Sequence, residues 1–132
     1  MTPDAEAYLR KARESLTSAE ADFEAGRFNS AANRAYYAAF QAAVGALLRA
    51  GIQPPKDSWE HRFVHSQFSG KLISRSKLFP ARYSGVVKAL LETRLAADYR
   101  PVPIGRRHAQ SALRDAKRLL EAIRVQMDGG KE

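Results

Sequence analysis

The sequence predicts an all-α protein with four or five helices. Apolar residues recur at spacings of three and four along most of the chain, which is the period of an amphipathic helix. No stretch alternates apolar and polar residues over the length of a strand. Glycines and prolines divide the chain into segments of helical length. At 132 residues we expect one domain spanning 1–132, with its core at about 4–126 and a flexible tail at 128–132.

The first helix is predicted to begin at Pro3, with Thr2 as its N-cap, and to end at Gly26. Proline suits the first helical position because its nitrogen carries no hydrogen to leave unpaired, and glycine suits the residue that follows a helix. Between them, apolar side chains recur at helical spacing: Tyr8, Leu9, Ala12, Leu16, Ala19 and Phe23. One face of this helix is therefore expected to pack on the rest of the protein.

The second helix is predicted to follow a cap at Asn29 or Ser30 and to run to Gly51. The short polar side chains of asparagine and serine can accept a hydrogen bond from the free N–H groups of the first turn. The interior of this helix is small on almost every side, with Ala31, Ala32, Ala35, Ala38, Ala39, Ala42, Ala43 and Ala46. Since small side chains let neighbouring backbones approach closely, we expect this helix at the centre of the bundle.

The later helices are delimited by glycine and proline. Residues 58–77 predict one or two shorter helices with an interruption near Gly70. Pro80 suits the start of a helix that ends near Tyr99, because the residue after Tyr99 precedes a proline and is disfavoured in helical geometry. A last helix over 105–127 carries apolar side chains at helical spacing: Ala109, Ala112, Leu113, Ala116, Leu119, Leu120 and Ile123.

The charge balance is strongly basic. Twenty-two lysines and arginines against fourteen acids give a formal net charge of +8. Residues 61–91 contain no acid, and their basic residues are Arg62, Lys71, Arg75, Lys77, Arg82 and Lys88. Such a stretch favours a polyanion such as RNA or a nucleotide phosphate. A solvated surface that keeps the protein soluble explains the charge equally well.

Several chemistries are excluded by residue type. The chain has no cysteine for a disulfide or a thiolate metal site, no apolar run long enough to span a bilayer, and no export signal. We therefore expect a cytoplasmic protein without a cofactor. His61 and His65 lie one helical turn apart, but no nearby acid completes a metal site, so a surface or RNA-facing role is favoured. Phosphate loops and hydrolase motifs are missing as well.

Two polar clusters stand within otherwise apolar helices. On the second helix, Asn33 and Tyr37 are four residues apart and share a face, with Arg34 alongside. Later, Arg94 and Asp98 are one turn apart, and Tyr99 adjoins them. A buried network of satisfied hydrogen bonds would account for both clusters. A ligand site assembled from the two helices is the alternative.

The two clusters, about sixty residues apart, resemble the HEPN family of small prokaryotic helical domains. Residues 34–40 read Arg-Ala-Tyr-Tyr-Ala-Ala-Phe and residues 94–99 read Arg-Leu-Ala-Ala-Asp-Tyr, and the similarity extends from about Tyr8 to Leu120. The resemblance implies an up-and-down bundle of four or five helices that forms a homodimer, with polar residues of both subunits lining a cleft. Many members are metal-independent ribonucleases, often toxins paired with a nucleotidyltransferase antitoxin.

The catalytic signature of those ribonucleases is an arginine, four to six residues, and then a histidine. After Arg94 and four intervening residues the chain has Tyr99 instead, and no histidine follows an arginine at the required spacing. With the resemblance we expect Asn33, Arg34, Tyr37 and Arg94 to bind RNA or a nucleotide, with a nucleotidyltransferase partner. An active ribonuclease that uses Arg94, Asp98 and Tyr99, or an unaligned histidine, is the first alternative. A non-enzymatic interaction module is the second.

Overall fold

The computed structural model describes residues 3–129. These residues form five α-helices and one π-helical segment, with no strand among them, so the predicted all-α bundle is confirmed. The helices are α1 (Pro3–Glu24), α2 (Phe28–Arg49), α3 (His61–Gln67), α4 (Arg82–Tyr99) and α5 (Arg106–Gly129), and the π-helical segment (Phe68–Arg75) directly follows α3. In this described range, no helix is both long and apolar enough to cross a membrane.

Helix α2 occupies the centre of the bundle, as its small side chains predict. It contacts each of the other four α-helices of the described chain and the π-helical segment. Fourteen of its residues are buried, most of them alanines. At Gly45, a Cβ atom would lie 3.3 Å from the backbone oxygen of Ala5 on α1. The two helices therefore approach more closely there than a larger residue at position 45 would comfortably allow.

Glycine ends the first two helices. Gly26 follows α1 with a φ of 79°, and Gly51 follows α2 with a φ of 82°. Both angles lie in the left-handed region, which glycine enters without the steric cost of a Cβ atom. At the end of α4, Arg100 is extended, with a ψ of 144°, as expected for a residue that precedes a proline.

The predicted cap of α2 was wrong. The helix begins at Phe28 and its N-cap is Arg27, without a capping side chain. Asn29 lies in the first turn, where its Oδ1 accepts a hydrogen bond of 2.9 Å from the backbone nitrogen of Ile104. This asparagine therefore joins the loop before α5 to α2 instead of capping a helix.

The interruption expected near Gly70 is missing, because this glycine lies within the π-helical segment that prolongs α3. Phe68, Leu72 and Ile73 of that segment are buried, and their packing offsets the weak helical preference of glycine. The start of α4 is two residues later than predicted: Pro80 precedes the helix, and its oxygen accepts a hydrogen bond from the backbone nitrogen of Tyr83.

Helix α5 continues beyond its predicted end at Met127. Asp128 and Gly129, which were assigned to a flexible tail, are helical. Arg124 forms an ion pair of 2.9 Å with Asp128, one turn away, and this pair supports the last turn. Residues 130–132 of the expected tail, and the expected cap at Thr2, lie outside the described residues.

Candidate functional site

The two polar motifs meet where α2 packs against α4. Arg94 donates from Nε to Oδ2 of Asp98 over 2.9 Å, within α4. From α2, Asn33 donates from Nδ2 to the same carboxylate oxygen over 3.1 Å. The carboxylate of Asp98 therefore links α4 to α2, through a hydrogen bond between residues that are sixty-five positions apart in sequence.

Two guanidinium groups lie against the ring of Tyr37. Arg34 donates from Nε and one terminal nitrogen to Oδ1 of Asn33, at 3.0 and 2.8 Å, and its Cζ lies 5.0 Å from the ring centre. The Cζ of Arg94 lies 5.4 Å from the same ring. These are distances at which a cation is attracted to the face of an aromatic ring. Hydrogen bonds and ring contacts thus hold both cations in place.

Tyr99 does not join this cluster. Its side chain is 74% exposed, and no hydrogen bond or ring contact within residues 3–129 connects it to Arg94 or Asp98. Helical geometry explains the separation, because a residue five positions along an α-helix lies about 140° around the axis. Asp98, four positions along, lies on nearly the same side of α4 as Arg94.

Three further residues extend the cluster inward, and the sequence analysis did not place them there. The hydroxyl of Tyr36 lies 2.6 Å from Nδ1 of His61 and 2.8 Å from Nε2 of His65. Tyr36 is fully buried, and the Cζ of Arg94 lies 5.8 Å from its ring. His61 also stacks on Phe40, with the ring centres 4.3 Å apart.

The histidines were expected at the surface or facing RNA, and the structure places them at the edge of the core, less exposed than a surface position predicts. Both are half-buried against α2, where Tyr36 holds them. The available signal was the one-turn spacing of His61 and His65 combined with a tyrosine in the middle of an apolar helix. A buried hydroxyl must find a partner, and a histidine pair on one helical face can supply it.

Burial keeps these side chains uncharged. Loss of solvent, and secondarily the charge of Arg94, lowers the pKa of His61, while loss of solvent and then His61 lowers the pKa of His65. Burial and the neighbouring Tyr37 raise the pKa of Tyr36 far above its usual range, although Arg94 acts in the opposite direction. At neutral pH the site therefore contains two neutral imidazoles and a protonated phenol.

The hydroxyl of Tyr36 imposes opposite proton positions on the two rings. A phenol has a single hydrogen, so it donates to one of the two ring nitrogens and accepts from the other. In a neutral imidazole, only one nitrogen carries a hydrogen. The remaining nitrogens, Nε2 of His61 and Nδ1 of His65, are therefore one N–H donor and one basic acceptor.

Arg94 keeps most of its hydrogen-bonding capacity. Its side chain is 18% exposed, and within the described chain only its Nε–H forms a hydrogen bond, to Asp98. Guanidinium has five N–H donors, so four are not used by the protein. A terminal nitrogen of Arg94 that was buried would lack a partner. Within residues 3–129 the buried side-chain nitrogen without a partner is Nε of Arg49 and not a nitrogen of Arg94, so the terminal nitrogens of Arg94 are accessible to solvent.

A polar hollow of ≈ 250 Å³ opens beside this cluster. Its walls are Asp22, Asn29, Ser30, Asn33, Arg34 and Asp98. Both acids are already neutralised, since Asp22 pairs with Arg27 at 2.9 Å and Asp98 pairs with Arg94. Arg34 then contributes an unbalanced positive charge. No group of three or more metal-ligating side chains that could hold a metal ion occurs in the described part of the chain.

Comparison with known proteins identifies the family of this sequence. The sequence profile of the HEPN domain matches residues 5–126, which is most of the chain. The chain belongs to the HEPN family. This HEPN domain is also similar in structure to TT1696 from Thermus thermophilus, with a TM-score of 0.75, 21% sequence identity and coverage of 95% of this chain and 99% of that one. No curated protein matches the sequence.

The family assignment agrees with the helical bundle. HEPN domains are often ribonucleases or nucleotide-binding proteins in toxin systems. In this HEPN domain, groups suited to phosphate and proton chemistry are gathered around Tyr36. They are the guanidinium of Arg94 and the imidazoles of His61 and His65.

Proposed function

We propose that this HEPN domain binds RNA or a nucleotide through a phosphate group at Arg94. The supporting observation is that Arg94 is fixed through Nε while its other N–H donors remain unused by the protein. A guanidinium held in one orientation can grip a phosphate with two parallel hydrogen bonds. Asp98 would act by orienting Arg94, and Asn33 would act by holding Asp98.

The neighbouring groups suit the rest of a nucleotide. Arg34 provides a second cation next to the polar hollow. Tyr37 is partly exposed, and exposed aromatic rings stack on bases without regard to sequence. The basic, acid-free residues 61–91 add a longer-range attraction for a polyanion.

We propose that the protein works in the cytoplasm as part of a prokaryotic toxin-antitoxin-type system. It would form a homodimer and act with a nucleotidyltransferase partner, in keeping with the resemblance of its two motifs to this branch of the family. Tyr99 would stand where the ribonucleases of the family have histidine. A phenol near its usual pKa of about 10 is a poor base at neutral pH, which favours binding over cleavage by that route.

Binding of a fluorescently labelled single-stranded RNA, followed by anisotropy at several salt concentrations, tests the proposal. Arg94→Ala should weaken binding roughly 10- to 100-fold, the value of a hydrogen bond to a charged group, and reduce the salt dependence by about one phosphate contact. Arg10→Ala removes an exposed arginine of α1 and serves as the matched control. Equal effects of the two substitutions would exclude Arg94 as the phosphate ligand.

A metal-independent ribonuclease is the second candidate, and the pair of histidines next to Arg94 favours it. One imidazole nitrogen would take the proton of a ribose 2′-hydroxyl while that oxygen bonds to phosphorus. The bond from phosphorus to the 5′-oxygen would break, and the other imidazole would give that oxygen its N–H proton. The Tyr36 hydroxyl, hydrogen-bonded to both rings, would pass the proton from the first imidazole to the second, so that both rings end neutral. The products are a 2′,3′-cyclic phosphate and a free 5′-hydroxyl, and Arg94 would stabilise the charge at phosphorus.

Incubation of total RNA with the protein in EDTA tests this second candidate. Cleavage should leave cyclic phosphate ends, and His61→Gln, His65→Gln and Arg94→Ala should each suppress it. If the RNA stays intact after long incubation while the protein still binds it, the ribonuclease is excluded and only the binding function remains. If Arg94→Ala lowers only the melting temperature while the wild type binds no RNA or nucleotide, the protein is an interaction module.

A further inference from the structure

A second surface lies toward the other end of α4, twelve residues and about 18 Å along the helix from Arg94. The segment before α4, the start of α4 and the second half of α5 line an open groove of ≈ 720 Å³. Its floor includes Phe79 and Tyr83, which are buried. Leu78 and Val125 form part of its walls and are 42% and 53% exposed. Exposed apolar side chains gathered around one groove are typical of a binding surface.

The charges at the rim of this groove are mainly positive. Arg82, Lys117 and Arg118 line it, together with one acid, Glu121. Glu121 is neutralised by Arg124 at 2.7 Å, and Lys117 lies 3.8 Å from Glu20 on α1. No ion pair within residues 3–129 involves Arg82 or Arg118, although the Cζ of Arg82 lies 4.9 Å from the centre of the Tyr83 ring. Both guanidinium charges therefore lack an acidic partner in this part of the chain and can attract one.

We propose that this groove docks an acidic, amphipathic helix of another protein. The part of the groove formed by α5 extends from Lys117 to Gln126, which is about 14 Å or two and a half helical turns. A helix of similar length can insert apolar side chains at every third and fourth position between Leu78 and Val125. Its acidic flanks would then meet Arg82 and Arg118.

Other occupants fit the groove less well. Single-stranded RNA would stack its bases on exposed aromatic rings, but Phe79 and Tyr83 are only 3% and 9% exposed, and the exposed apolar side chains are aliphatic. A second copy docked here by two-fold symmetry would bring its own Arg82 and Arg118 toward the same basic rim. The charge of the rim and the apolar floor together favour an acidic protein segment.

A designed peptide provides the test. The probe is a labelled helical peptide of about 18 residues, with leucines along one face, glutamates on both flanks of that face and alanines elsewhere. A second peptide has lysines in place of the glutamates. Binding to the full chain is measured by anisotropy at low salt. The glutamate peptide should bind at least about 10-fold more tightly than the lysine peptide.

Charge reversal on the protein makes the test specific. Arg82→Glu and Arg118→Glu should each weaken binding of the glutamate peptide, and the double variant should prefer the lysine peptide. Arg10→Glu, an exposed site outside the groove, should change neither affinity. Circular dichroism of each variant checks that its helices are kept.

The apolar part of the groove is tested separately by Val125→Ser, which should weaken both peptides. Equal binding of the two peptides, no saturable binding, or a preference that the double variant fails to reverse would each overturn the proposal. Loss of RNA binding in Arg82→Glu and Arg118→Glu without any peptide binding would show that the groove is an RNA surface instead. If RNA binding is lost only in Arg94→Ala, the RNA binds at the cluster around Arg94 and not in this groove.

Discussion

Replacing Tyr36 with phenylalanine removes one hydroxyl from the centre of the cluster and nothing else. That hydroxyl makes two hydrogen bonds, of 2.6 Å to His61 and 2.8 Å to His65, from a side chain that is fully buried. Each hydrogen bond contributes about 1 kcal/mol net, and a buried nitrogen left without a partner costs more. Since water can reach the half-buried histidines, we expect a loss of about 1–3 kcal/mol in the free energy of unfolding.

Urea denaturation followed by circular dichroism measures this loss, and Tyr37→Phe is the matched control. Tyr37 is the next residue of α2, but its hydroxyl has no hydrogen bond within the described residues. Its removal should change the stability by less than about 0.5 kcal/mol. Equal losses in the two variants, or none in either, would refute the hydrogen-bonded arrangement of Tyr36 and the two histidines.

Three further changes test the histidine pair, the helical backbone of α4 and the contact between α1 and α2. The pKa values of His61 and His65 are lowered in the fold, so their contribution to stability is present above the unfolded value of 6.5 and is lost as pH falls through the folded values. Urea midpoints should therefore fall from pH 7.5 toward pH 5, and less steeply in the His61→Gln, His65→Gln double variant. Gly85→Ala on α4, where a Cβ meets nothing within 4 Å, should raise stability by about 0.5–1 kcal/mol in the same assay. Gly45→Val, next to the backbone of α1, should lower it by about 1–3 kcal/mol.

The fold was predictable because its signals are local. Gly26 and Gly51 end helices through their own backbone angles, and a proline ends α4 through the residue that precedes it. The alanines of α2 likewise indicated its central position before any contact was known. The errors occurred where packing outweighs local preference, as at Gly70 in the π-helical segment.

The candidate site was predictable only within single helices. Spacing of four placed Arg94 with Asp98, and the same reasoning applied to a spacing of five would have set Tyr99 apart. The contact of His61 and His65 with Tyr36 depends on how α3 packs on α2. The connection over residues 50–60 has no repeating pattern of apolar residues from which its path could be predicted. That contact needed the structure, whereas the phosphate-binding role of Arg94 stays a prediction.

NMR of the arginine side chains during titration with a short single-stranded RNA tests the role of Arg94 most directly. The side-chain signals of Arg94 are assigned from their absence in Arg94→Lys. Phosphate binding at this residue should shift its terminal N–H signals while its Nε–H, which Asp98 holds, changes less. Signals of Arg94 that stay in place at saturating RNA, while those of other arginines move, would contradict the proposed site.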